Sequence, residues 1–265
     1  MKIFISSDIE GTTGITVWNE CEKGKPDYEE FRKQMTAEVV AACEGAIEGG
    51  AKEIIIKDAH DTARNIIASS LPESVKLIRE WSGHPFQMVQ GLDESFDAVI
   101  FTGYHSRAGS DTNPLAHTFT GSVMYINING RFASEFLINS YSAAYVGVPV
   151  VMVTGDRGLC EDAKSFNPGI HTVPVSEGEG TSNISIHPNL AVKKIKETAK
   201  KAVSGDLSKC KVDLPKKFEV EILYKDNRLA YKTSFYPGAR LEGTHTIKFD
   251  SDDYFDVLRF LTFMR

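Results

Sequence analysis

The chain has no surplus of positive charge. Its 30 lysines and arginines face 36 aspartates and glutamates, for a formal net charge of −6. A surface built for a nucleic-acid backbone carries the opposite balance, so nucleic acid is not an expected partner. The densest basic segment, Lys193–Lys201, has the Lys-x-x-Lys spacing of the wet face of a helix. Cysteine is sparse. Cys21, Cys43, Cys160 and Cys210 form no Cys-x-x-Cys pair, which excludes a zinc knuckle or redox motif and fits a reducing compartment. No apolar stretch approaches the ~20 residues needed to span a bilayer, and the short run Lys2–Ser6 meets acidic residues at once, unlike a signal peptide. A cytoplasmic protein with no membrane partner is the resulting expectation. The sequence also lacks a Gly-x-Ser-x-Gly elbow, a Walker loop and a Rossmann glycine fingerprint, and it shows no internal repeat.

What is present reads as an α/β protein. Lys2–Ser6 is short, apolar and β-branched, the pattern of a buried strand. Apolar residues at Phe31, Met35, Val39, Val40, Cys43 and Ile47 follow helical spacing and end at Gly49-Gly50. Glu53–Lys57 is a second buried strand. Strand, helix and strand in this order make a parallel βαβ unit with a right-handed crossover. Val75–Arg79, Asp97–Thr102 and Pro149–Thr154 predict further strands, and Asn129-Gly130 predicts a type I′ hairpin between Met124–Ile128 and Arg131–Ser134. Glu135–Val146 predicts a helix. Residues 106–122 read as a long loop of the kind usually kept for function. After about Thr172 the pattern weakens. Ser176–Ser185 reads as a polar loop, Pro188–Val203 as a helix, Phe218–Leu223 and Thr244–Phe249 as half-exposed strands, and Asp252–Met264 as a closing helix. The expected architecture is a parallel-rich central sheet flanked by helices over residues 1–170, with a smaller C-terminal α+β portion over 171–265.

The chemistry gathers at strand ends. Asp8 and Glu10 follow the first strand, and residues two apart on an extended chain point the same way. Two carboxylates facing one spot resist joint ionisation unless a cation lies between them. Their bland alternative is a turn cap and a solvated acid. His60 follows the second strand, with Asp58 and Asp61 placed to orient its ring. His105 follows the strand Asp97–Thr102. Three strands thus deliver carboxylate, imidazole and imidazole to one sheet edge, where open α/β folds bind ligands, and this is the usual donor set for a hydrolytic metal. His117 lies in the long loop, where it suits acid–base work over a metal or is an ordinary exposed histidine. Glu135 opens a helix, and taken alone it reads as an acid favoured by the helix dipole. His84, His171, His187 and His245 read as surface residues.

These residues resemble a known family. Ser-Ser-Asp8-Ile-Glu10-Gly11, Asp58-Ala-His60, Gly103-Tyr-His105-Ser-Arg107-Ala, Ala116-His117-Thr, and Glu135 followed by Asn139 resemble the DppA-type D-aminopeptidases of peptidase family M55. So do Met88-Val-Gln-Gly-Leu-Asp93 and Pro149-Val-Val-Met-Val-Thr-Gly-Asp156. The likeness is dense over residues 1–160 and loose beyond. It implies a zinc-dependent aminopeptidase acting on short peptides, with two zinc ions per subunit. The implied ligands are Asp8, Glu10, His60, His105 and Glu135, with His117 as the catalytic residue. It also implies a ring-like homo-oligomer, a decamer of pentameric rings. Arg107 is a candidate for a substrate carboxylate and Tyr104 for an oxyanion, each with an ordinary structural alternative. The same ligands would serve a binuclear hydrolase of another amide or a phosphoester, or a non-catalytic metal-binding oligomer. Preference for D- or L-residues depends on pocket shape.

Overall fold

The computed structural model describes residues 1–264. Its larger sheet has seven strands in the order β3-β2-β1-β4-β7-β8-β9. These are β1 (Lys2–Ser7), β2 (Glu53–Asp58), β3 (Val75–Ile78), β4 (Ala98–Tyr104), β7 (Val150–Asp156), β8 (His171–Glu179) and β9 (Ser182–Ser185). The first six run parallel, and β9 turns back antiparallel on β8. The second sheet is antiparallel and has the order β11-β12-β10-β5-β6. It comprises β5 (Val123–Ile128), β6 (Arg131–Phe132), β10 (Phe218–Tyr224), β11 (Arg240–Glu242) and β12 (Thr246–Ser251). The turn joining β5 and β6 places Asn129 at φ 54° and Gly130 at φ 81°, the left-handed pair a type I′ hairpin requires.

The alternation along β1 explains the two cores. Successive strand residues point to opposite faces. Ile3 and Ile5 therefore join one apolar cluster, with Met35, Val39 and Cys43 of α1 (Tyr28–Glu48) and Ile195 and Ala199 of α4 (Pro188–Ser204). Phe4 points the other way. It joins Phe136 and Ile138 of α2 (Glu135–Tyr145), Leu258 and Phe260 of α6 (Tyr254–Phe263), and the inner face of the second sheet through Ile126, Ile222 and Ile247. The parallel strands are buried on both faces, so they read as continuous apolar runs.

The sheets do not divide at residue 170. Strands β8 and β9 and helix α4 belong to the large sheet and its α1 face, whereas the β5–β6 hairpin from earlier in the chain joins the small sheet. The segment Ser176–Ser185, expected as a polar loop, spans the β8–β9 hairpin instead. Backbone pairing on the sheet edge overrides its polar side chains. Helix α3 (Arg157–Phe166), capped by the Asp156 side chain accepting the Leu159 N–H, and the short α5 (Asn227–Thr233) were not expected.

Candidate metal centre

The C-terminal ends of β1, β2 and β4 lie side by side, because their pairing continues past the last strand residues. The N–H of Asp8 donates to the Thr102 carbonyl at 2.9 Å, that of Gly11 to Gly103 at 2.9 Å, and that of Ala59 to Ser7 at 2.8 Å. Glycine makes this approach possible. A Cβ on Gly11 would lie 1.7 Å from the Tyr104 carbonyl oxygen, and one on Gly103 would lie 2.3 Å from that of Asp8. Gly103 also adopts φ +66°, a left-handed backbone that side chains disfavour.

From these tips Asp8, Glu10, His60 and His105 converge with Glu135, the first residue of α2, and with His117. His60 Nδ1 lies 3.3 Å from Asp8 Oδ1 and 3.0 Å from Glu10 Oε2. His105 Nε2 lies 3.5 Å from Asp8 Oδ2 and 3.6 Å from Glu135 Oε2. His117 Nε2 lies 3.8 Å from Glu10 Oε1 and 3.7 Å from Glu135 Oε1, and its ring stacks on His105 with centroids 4.3 Å apart. Asp8, Glu10, His60, His105 and Glu135 are all buried, while the His117 side chain keeps 14% of its surface.

Each imidazole is turned by a backbone carbonyl, which can only accept. His60 Nε2–H donates to Cys21 at 3.0 Å, His105 Nδ1–H to Ser106 at 2.9 Å, and His117 Nδ1–H to Leu115 at 2.9 Å. The opposite nitrogen of every ring is therefore the one that faces the carboxylates. Neither Asp58 nor Asp61 orients the His60 ring as expected. Asp58 instead accepts the N–H groups of Asn65 and Ile66, and Asn65 Nδ2 donates to the His60 carbonyl, so this acid shapes the loop that carries the histidine. On the other side Asp156 accepts from the N–H and hydroxyl of Ser106 and from Asn113, whose amide also donates to the Glu10 carbonyl. Asp156 braces two arms of the site. Its position, an acid at the end of a fourth parallel strand, was the signal for it in the sequence.

The electrostatics ask for cations. Burial, and then the adjacent Glu10 carboxylate, push Asp8 well above the usual carboxyl range. Burial pushes Glu10 the same way, but the imidazoles of His60, His117 and His105 outweigh it and hold Glu10 well below. For His60 and His105 burial opposes protonation, and the carboxylates of Glu10 and Asp8 around the first and of Glu135 around the second more than reverse it. Burial and the facing His105 ring lower His117, leaving it a neutral base. Two buried atoms, Glu10 Oε2 and His105 Nε2, have no hydrogen-bond partner, although Glu10 Oε2 is 3.0 Å from a ring nitrogen. Donors packed this closely, two of them without a hydrogen-bond partner, fit a metal ion. The atoms group as Asp8–Glu10–His60, Asp8–His105–Glu135 and Glu10–His105–His117, each within 4.8 Å. A mixed nitrogen and oxygen set without thiolate suits zinc, and also manganese or cobalt.

The centre opens into a cavity of about 320 Å³, with Trp18, Trp81, Met88 and Phe119 on its walls. The two other candidates lie elsewhere. Arg107 donates to its neighbour's carbonyl at Ala108 and stacks on Phe132 at 4.5 Å, and it lines a separate recess with Ser110 and Asp162. The Tyr104 hydroxyl is buried between Ser6 and Asn139. The remaining histidines, His84, His171, His187 and His245, are outside the cluster.

The sequence profile of the peptidase M55 family, described as D-aminopeptidase, matches residues 1–263. The chain belongs to this family. A D-aminopeptidase of Bacillus subtilis (strain 168) is 29% identical over 268 residues, an alignment spanning 100% of this chain and 96% of the relative. The solved structure of the zinc-dependent D-aminopeptidase DppA from Bacillus subtilis, described as a self-compartmentalizing protease, superposes with a TM-score of 0.92 at 28% identity and covers 100% of this chain and 96% of its own. The family likeness therefore runs through the C-terminal region, where the motifs had been loose. Among the described residues no helix is long and apolar enough to cross a membrane.

Proposed function

We propose that this chain is a zinc-dependent aminopeptidase that removes the N-terminal residue, a D-residue first of all, from short peptides. The observation that carries this reading is the position of Asp8. Its two carboxylate oxygens reach His60 on one side and His105 on the other, so one acid is common to two donor triads. Asp8, Glu10 and His60 would hold one zinc ion, and Asp8, His105 and Glu135 a second, two per subunit. When bound, zinc supplies a Lewis acid for the scissile carbonyl and acidifies water.

The chain's own groups supply the rest. The three backbone carbonyls fix the ring tautomers before substrate arrives, so no reorganisation is needed during turnover. His117 lines the cavity, points Nε2 at Glu10 and Glu135 beyond hydrogen-bond distance, and has a lowered pKa. It takes a proton at Nε2 from the attacking water and returns it to the leaving amine. Glu135 Oε1 accepts the Phe119 N–H at 2.6 Å, which ties the loop carrying His117 to the ligand set. Two resemblances support a self-assembled particle: the family's ring-like organisation, and the self-compartmentalizing relative. We take the assembly to be a homo-oligomer, a decamer, working in the cytoplasm.

The decisive experiment combines metal analysis of the purified protein with hydrolysis of paired D- and L-dipeptides and of nitrophenyl phosphate. Two zinc ions per chain and faster cleavage of the D-dipeptides are expected. Metal-loaded protein that cleaves only the phosphoester would overturn the proposal.

A further inference from the structure

The chain has only two tryptophans, and both line the cavity that opens onto the metal centre. Trp18 sets its edge against the His117 ring, with centroids 5.2 Å apart. Trp81 is held from two sides. Its Nε1–H donates to the Asp61 carbonyl at 2.6 Å, and the Lys57 ammonium lies 4.3 Å from its ring centroid. Lys57 is itself buried, with Nζ donating at 2.8 Å to the carbonyls of both Asp58 and Glu80. A desolvated ammonium under an indole is a strong cation–π arrangement.

The backbone around this clamp is costly. Asp61 (φ 42°), Ala63 (φ 48°) and Glu80 (φ 69°) all adopt the left-handed conformation without being glycine, and the Glu80 N–H donates to Ala63. Across the cavity Phe119 does the same at φ 59°. Strain of this kind persists where surrounding structure enforces it, and it concentrates at ligand clamps. Simple packing does not account for the result, because Trp81 stays 36% exposed and Trp18 42% exposed. Two large indoles are kept partly bare beside a polar centre. Met88 and Phe119 extend the same apolar lining.

We propose that Trp81, aided by Trp18, is a specificity-determining wall for a flat or large apolar side chain next to the scissile bond, and that Lys57 is the positioning residue that holds Trp81 upright. The inference rests on the aminopeptidase reading above. A peptide whose flanking residue is aromatic buries its ring against the indole, whereas alanine leaves that surface wet. Discrimination on the order of 10–200-fold is the range a hydrophobic pocket delivers.

The two-tryptophan content supplies a readout independent of turnover. In zinc-loaded Trp18→Phe protein all tryptophan emission comes from Trp81. Titration with D-phenylalanine should change that emission at a concentration at least about tenfold lower than D-alanine requires. Kinetics are then compared for D-Phe-Gly, D-Ala-Phe and D-Ala-Gly, or their L-forms if the enzyme cleaves those. Trp81→Ala should lose about tenfold or more in kcat/KM on whichever aromatic dipeptide the wild type favours, and less than threefold on Ala-Gly. Which of the two is affected identifies the side of the scissile bond that the wall serves. Lys57→Met should reproduce the selective loss through KM with kcat kept, and Trp81→Phe should restore most of it. An equal loss on all three substrates, or emission blind to phenylalanine, overturns the inference. Failure of the wild type to cleave any dipeptide would instead count against the aminopeptidase reading, and the fluorescence titration would still decide on the wall.

Discussion

Gly103→Ala tests whether the metal centre depends on the close approach of β1 and β4. The new methyl would start 2.3 Å from the Asp8 carbonyl oxygen, against an ordinary contact of 3.4–4 Å, so the strands must part by about 1 Å or more or the backbone must rotate. The left-handed φ of +66° adds roughly 1–2 kcal/mol for a residue with a Cβ. Parting the strands weakens the bonds from the Asp8 N–H to Thr102 and from the Gly11 N–H to Gly103, each 2.9 Å long and worth roughly 0.5–1.5 kcal/mol. The sum is about 2–5 kcal/mol of stability. A displacement of ~1 Å in a catalytic group also costs about 100-fold in rate. The assay is urea unfolding of the metal-free protein, paired with zinc stoichiometry and dipeptide turnover of the loaded one. A Gly103→Ala protein that unfolds within ~0.5 kcal/mol of wild type, with full zinc and full activity, would refute the argument that this contact sets the geometry.

Removing the shared carboxylate in Asp8→Ala should abolish binding of both zinc ions, measured by elemental analysis after dialysis, and retention of two ions would break the assignment of Asp8 to both triads. His117→Ala should keep its zinc and lose about 10²–10⁴-fold in kcat, whereas loss of metal from this variant would make His117 a ligand through the Glu10–His105–His117 triad. Glu38 is buried and accepts the Thr13 N–H at 3.0 Å, and burial raises its pKa above the usual carboxyl range. The folded protein then holds this proton to higher pH than the unfolded chain does, so its stabilising contribution is full below the unfolded pKa and is lost as pH rises through the folded one. Glu38→Gln should accordingly gain stability relative to wild type as pH climbs above ~4.3, in parallel denaturant melts; a difference that stays flat or shrinks with pH would show that Glu38 is ionised in the fold.

The strand-end acids and histidines were legible because they obey a local rule: an apolar run ends and a donor follows. Asp8, His60 and His105 each met it, and the structure brings all three together. Glu135 had no such signal, since an acid opening a helix looks the same whether or not it faces other donors, and only the family resemblance raised it. The braces were less visible. Cys21 orients His60 through its carbonyl, a contribution that no side-chain pattern encodes. The β8–β9 hairpin was masked by polar residues, because an edge ribbon satisfies its backbone without an apolar stripe. Trp18 and Trp81 were equally hidden. Long loops carry each of them to the cavity, and their distance from the metal ligands in sequence says nothing about distance in space.

Asp8, Glu10, His60 and His105 follow separate tips of one parallel sheet, and the last donor in the chain, Glu135, opens α2. On the proposed ligand assignment, a fragment that ends before α2 lacks Glu135 and should not hold both ions. Metal uptake is therefore a stopwatch for folding. In a refolding experiment, zinc capture should lag behind helix formation and coincide with completion of strand order, because parallel crossovers close slowly.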